Sequence, residues 1–289
     1  MIMTKRLRFI LQISILLSVV LLTACESEKI DITFASEECR DSVLMIPSNP
    51  KESPVCTASI QLTYLEAEPG SKHLNAVEKI NRYIIDRLLP FSEGADVKSA
   101  PRAYVDAMLK DFTTNVKSTY YEDLDFFEEN NSESDEDFEL MKETFIAAHS
   151  YEYEITSEAH MGFADSLVCY TLMTYTYLGG AHPMTTARTV TFSLTTGQAV
   201  KPSDIFLPGT EDVLIDRLTK RLMEMANVKT IEELHEVGFL DLADMFVSEN
   251  MLLEKDRISF HYDPYDIAPY ALGAIDIDFT YKELEDLMV

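Results

Sequence analysis

Two runs of period-two alternation face each other across a glycine pair, and no other feature constrains the chain as strongly. Leu167-Val168-Cys169-Tyr170-Thr171-Leu172-Met173-Thr174 alternates and is rich in β-branched and aromatic residues, and Ala187 to Leu194 does the same. Each predicts a half-buried strand. Between them, Tyr177-Leu178-Gly179-Gly180-Ala181-His182-Pro183 supplies glycines that accept positive φ and a proline that stiffens the exit. An antiparallel hairpin is expected, which by itself names no reaction.

Further elements follow from the same periodicities. Ala58 to Tyr64 alternates with Ile60, Leu62 and Tyr64 on one face, and Phe145 to Ile155 is expected to form a strand beside Leu167–Tyr177. Arg257–Tyr262 and Ala274–Phe279 predict two closing strands around a structured Asp263–Gly273 loop. Leu74, Val77, Ile80, Ile84 and Leu88 recur at helical steps, as do Val105, Leu109, Phe112 and Val116, and later Leu214, Leu218, Leu222 and Met225. Thr230 with Glu233 three residues on marks another helix start. Strands in neighbouring groups with helices between them predict an α+β fold, with a mainly antiparallel sheet and packed helices in two associated subdomains. Residues 25–54, polar and interrupted by Pro47, Pro50 and Pro54, are expected to be a tether, with a first strand starting only near Ser42–Met45. The acidic stretch Glu122–Glu143 is expected to be a solvated loop; Asp135, Asp137 and Glu139 lack the glycine that a calcium loop requires.

Charge and the N-terminus restrict location and partners. The chain has 24 Lys and Arg against 50 Asp and Glu, a formal net charge of −26. Such a field repels phosphate backbones, so no nucleic-acid partner is expected. Lys5, Arg6 and Arg8 precede an apolar run, Phe9 to Leu22, that is shorter than the roughly 20 residues of a membrane span. This is a signal-peptide pattern, and it ends in Leu22-Thr23-Ala24-Cys25. Small residues ahead of a cysteine resemble a bacterial lipobox, which implies cleavage after residue 24 and acylation of Cys25. A lipid anchor in the cell envelope is expected, outside the cytoplasm, in the outer membrane if the cell has two. Of the remaining thiols, Cys39 and Cys56 flank a Pro- and Ser-containing loop and are the favoured disulfide pair, while Cys169 reads as a buried thiol. No cysteine or histidine spacing suggests a metal, and no cofactor is expected. His149 and His160 carry no assigned chemistry.

Two motifs are candidates for a binding site. In the first, Tyr177, Gly179, Gly180, His182 and Pro183, the histidine either fixes the turn or contacts a ligand. In the second, Tyr262, Pro264, Tyr265, Pro269 and Tyr270, the prolines hold tyrosines that form either a rigid aromatic platform or a plug for the sheet end. No catalytic residue is assigned, because no Asp or Glu is bracketed by the His, Ser or Lys partners that acid–base or nucleophilic chemistry needs.

In order, Tyr177–Pro183, Phe192–Gly197, Asp204–Phe206 and Ile258–Gly273 resemble the C-terminal domain shared by RsiV-type anti-sigma factor ectodomains and many bacterial envelope lipoproteins. Residues 55–165 are similar in their strand-helix-helix-strand outline to the companion domain that precedes PdaC-type peptidoglycan deacetylases. The resemblance implies a PdaC-like domain over 55–165, an RsiV-like domain over 166–289, and a binding module. The RsiV-type ectodomain is a receptor for lysozyme, a strongly basic host enzyme. With a lipoprotein leader in place of a sigma-binding segment, a transmembrane anti-sigma factor is not expected. Deacetylase activity is not implied either, since no metal-binding His/Asp motif occurs. The expected function is therefore a non-enzymatic, lipid-anchored envelope protein that binds a basic protein such as lysozyme or a glycan. The alternative is an envelope enzyme or accessory factor acting on peptidoglycan or another glycan.

Overall fold

The computed structural model describes residues 31–131, 137–239 and 245–289. The expected α+β architecture is present, as a six-stranded sheet and a three-stranded sheet with packed helices. The large sheet runs in sequence order: β1 (Ile32–Leu44), β2 (Val55–Ala67), β3 (Tyr151–Met161), β4 (Leu167–Tyr177), β5 (Met184–Ser193) and β6 (Ala199–Val200). All neighbours are antiparallel except β2 and β3, which are parallel and joined through residues 68–150. That crossover holds α1 (Leu74–Tyr83), α2 (Ala100–Asp111), α3 (Lys117–Asn130) and α4 (Phe138–Ala148). The small sheet, β7 (Met251–Leu253), β8 (Arg257–Tyr262) and β9 (Ile275–Thr280), follows α5 (Pro202–Ile205), α6 (Glu211–Met225) and α7 (Ile231–Glu236), and α8 (Tyr281–Leu284) closes it.

Two of the three hydrophobic clusters among the described residues follow from the two periodicities. The predicted stripe of α1 (Val77, Ile80, then Ile84 in a π-helical turn) and Tyr104, Val105 and Met108 of α2 cover Ala58, Ile60 and Leu62 of β2 and Val168, Tyr170 and Leu172 of β4. Leu214, Leu218 and Leu222 of α6 cover Ile258, Phe260 and Tyr262 of β8 and Ile277 and Phe279 of β9. Each such aliphatic side chain contributes about 2 kcal/mol of transfer free energy.

Five expectations are corrected. Residues 32–44 of the expected tether form β1; the strand lacks an apolar period because it is a charged sheet edge, carrying Glu37, Glu38, Arg40 and Asp41. The acidic region is helical on both sides of residues 132–136, and Phe145 lies in α4, where it packs with Phe127 at 4.9 Å, instead of opening a strand. Residues 132–136, with the calcium-like Asp135, lie outside the described residues. The division at 165/166 cuts through a sheet, since β3 and β4 pair from Glu152 with Tyr177 to Met161 with Val168; the second core begins near Phe206. Finally, Cys39 stands opposite Ile60 and Cys56 opposite Val43, four positions out of step. That offset is about 13 Å along the strands, beyond the reach of a disulfide, and both thiols are free.

Candidate functional site

The two sequence motifs meet. β4 and β5 are joined by residues 178–183, where Gly179 adopts φ +73°. A Cβ there would fall 1.5 Å from the Ala148 carbonyl oxygen, so only glycine lets this loop lie on the end of α4; Gly180, next to it, faces open space. His182 Nδ1–H donates to the Pro183 carbonyl (2.9 Å), which turns the ring outward onto Tyr270, stacked at 3.7 Å and 17°. Tyr270 stacks in turn with Tyr265, at 6.1 Å and 29°. Three rings from two distant segments thus stand in one row, and Tyr265 at its end is 52% exposed.

The loop behind the row is tied by its own hydrogen bonds. Asp263 N–H donates to the Asp266 carboxylate, Asp266 N–H to the Asp263 carbonyl, and Tyr265 N–H to the Ala268 carbonyl. Pro269 then opens a helical turn over Tyr270–Leu272, and the half-buried Pro264 precedes Tyr265. Tyr265 has φ +76°, a left-handed conformation that disfavours a side chain and persists only when its surroundings impose it. Not every predicted residue joins the row. Tyr262 is fully buried with its hydroxyl on the Phe246 carbonyl, so it belongs to the small-sheet core. Tyr177 ends β4 and lines a separate depression of 530 Å³ beside Glu143, Ile146 and Glu152. A surface cleft of 660 Å³ along α1 contains none of the predicted site residues. Cys25 lies outside the described residues.

Beneath the row is an ion network that sequence reasoning missed. His261 on β8 faces Asp276, its direct cross-strand partner on β9 (Nδ1 to Oδ1, 2.7 Å), and reaches Asp263 through Nε2 (3.2 Å). Burial alone would push the imidazole down. The hydrogen bonds and charges of Asp263 and Asp276 outweigh it and raise the pKa from 6.5 to about 9. The same Asp263 oxygen accepts the Ala187 N–H of β5 at 2.7 Å, so this imidazolium–carboxylate pair joins the small sheet to the large one. Register is the signal that finds it: folding β8 onto β9 puts 261 opposite 276.

A second unanticipated group lies where β7 crosses the large sheet. His160, which carried no expected chemistry, contacts Glu254 (Nε2 to Oε2, 2.7 Å) beside Cys169, whose thiol donates to the Leu253 carbonyl at 3.4 Å.

Residues 203–282, which span α5 to β9 and hold most of the second core, match the family model described as a protein of unknown function, DUF3298. No curated protein matches the chain. The crystal structure of a DUF3298 family member from Bacteroides fragilis NCTC 9343 is similar at a TM-score of 0.70 and 24% identity, over 89% of this chain and 94% of that one. A DUF3298 family protein from Pseudomonas aeruginosa PAO1 is similar at 0.54 and 14% identity, over 90% and 96%. Both likenesses span the two sheets and show the fold.

Proposed function

We propose that this protein is a lipid-anchored, non-enzymatic receptor of the bacterial cell envelope, held by Cys25 and binding a cationic protein such as lysozyme. The observation that carries the reading is the row of His182, Tyr270 and Tyr265, exposed at both ends and set on a hydrogen-bonded loop that holds Tyr265 in a left-handed conformation. Pre-ordered aromatic rings lose little entropy on binding and supply the buried anchors that dominate interfaces. The acidic balance of the chain adds long-range attraction for a basic partner, which speeds encounter and falls with salt.

The test is retention of the full chain on immobilised lysozyme. Binding is expected at low ionic strength, weakened by salt, and Tyr270→Ala is expected to lower affinity by roughly 30-fold, the cost of a hot-spot residue. Absence of retention at low salt, or retention indifferent to Tyr270 and Tyr265, overturns the reading. The anchor has its own readout: Cys25→Ser should abolish incorporation of labelled fatty acid and release the protein from the membrane fraction.

A further inference from the structure

At the junction of β7 with the large sheet, three side chains with metal-ligating atoms converge. His160 and Cys169 are direct cross-strand partners on β3 and β4, and Cys169 stands opposite Thr191 on β5. Imidazole, thiol and hydroxyl therefore share one face of the sheet, with Cβ atoms about 5 Å apart along the row. β7 lies across that row with its backbone. The Leu253 carbonyl takes the Cys169 thiol, and the Leu253 N–H donates to Thr191 Oγ1 at 2.9 Å. The next residue, Glu254, is thereby delivered to His160, and its own carbonyl is held from behind by the Tyr281 hydroxyl at 2.7 Å. The ligating atoms of His160, Cys169 and Glu254 all lie within 4.8 Å of one another.

We propose that His160, Cys169 and Glu254 form a binding site for one divalent cation of the zinc class. Nitrogen, sulfur and oxygen ligands at about 2.0–2.3 Å from such an ion lie within roughly 4 Å of each other, so small side-chain rotations complete the site. A thiolate with an imidazole selects a borderline ion over calcium or magnesium, which favour all-oxygen shells. On binding, the Cys169 thiol exchanges its proton for the ion, and the proton leaves to solvent. The His160 side chain is 45% exposed, which gives the ion a way in and leaves a fourth position for water. Gly162 is fitted to the same spot, since a Cβ there would stand 2.9 Å from Cys169 Sγ and 2.5 Å from the Leu253 oxygen. The bound ion would link β3, β4 and the residue after β7, fastening the small sheet to the large one independently of any ligand at the aromatic row.

The experiment uses the reduced, EDTA-stripped full chain titrated with Co²⁺ as a spectroscopic substitute for Zn²⁺. The expected result is a sulfur-to-cobalt charge-transfer band in the near ultraviolet that saturates at one ion per chain and is bleached by Zn²⁺. Cys169→Ser should abolish the band, whereas serine at Cys25, Cys39 and Cys56 should leave it intact. His160→Gln and Glu254→Gln should each weaken binding at least tenfold; both change partly exposed side chains at a surface ion pair, so the fold is retained and can be checked by circular dichroism. No band in the parent chain, a band that survives Cys169→Ser, or affinity unchanged in both His160→Gln and Glu254→Gln would overturn the site.

Discussion

Two of the junctions that join the small sheet to the large one are built from opposite materials. At one, the buried Asp263 carboxylate accepts the Ala187 N–H and holds the protonated His261, with the ring row above it. At the other, β7 uses neutral bonds to Thr191 and Cys169, and the charged contacts just after it, Glu254 with His160 and Lys255 with Asp165, reach solvent. The seam between them is a single strand: Ala187, Thr189 and Thr191, successive positions on one face of β5, meet Asp263, Asn250 and β7 in turn. A buried charge that has lost its partner is far costlier than a surface pair that has lost one member. The first junction therefore fixes how the loop stands, and the second can vary without loss of the fold.

That asymmetry gives the largest expected effect. Asp263→Ala leaves the buried Ala187 N–H without its acceptor and removes one of the two carboxylates that hold His261, Asp276 remaining, and should lower unfolding free energy in urea by about 3 kcal/mol. Glu254→Gln in the metal-free protein should lower it by less than about 1 kcal/mol. Equal losses at the two sites would show that the junctions do not differ in the way their burial implies.

The same contrast explains what could be read from the sequence and what could not. Alternation located β4, β5, β8 and β9, and helical spacing located α1, α2 and α6, because each has one apolar face over a core. Most of β1 was missed, only its end near Ser42–Leu44 being anticipated, since at a sheet edge only Ile32 of its thirteen residues is buried and no apolar period exists to detect. The helices α3 and α4 were missed because they bury little: Tyr120 alone in α3, and in α4 no residue fully. In the site, the two motifs were visible as motifs, and their meeting was not, because stacking His182 on Tyr270 depends on how the two sheets pack. His261 with Asp276, and His160 with Cys169, are cross-strand pairs; each becomes visible only when the predicted strands are set in register. Spacing rules tuned to helices and to cysteine pairs pass over such chemistry.

A pH series isolates the charged junction from the neutral one. The folded pKa of His261 is raised from 6.5 to about 9, so the proton is held more tightly in the folded state. Its contribution is complete below pH 6.5 and is lost as pH rises through about 9; the full span is on the order of 3 kcal/mol. Wild-type stability in urea should fall across that window, and His261→Gln, starting lower, should be nearly flat over it. A wild-type slope unchanged by His261→Gln would assign the pH dependence to other groups and leave His261 neutral in its place.

The smallest effect concerns what the charged junction is for. Tyr265 either fills space at the end of the sheet or is held out, at a cost, for something to bind. Its φ of +76° disfavours any residue with a Cβ by about 1–2 kcal/mol, a penalty that glycine escapes. Tyr265→Gly should therefore be more stable than Tyr265→Ala by about 1 kcal/mol, and both should lose affinity for lysozyme to the same degree, because both lose the ring. If glycine and alanine prove equally stable, the loop stores no strain. If both fall well below wild type in stability while binding is unchanged, the ring is a plug. Only stability that separates the two variants, combined with binding that does not, fits a side chain kept in an unfavourable conformation for a partner, and the hydrogen bonds among Asp263, Asp266 and Ala268 that impose it trace back to the same aspartate that holds His261.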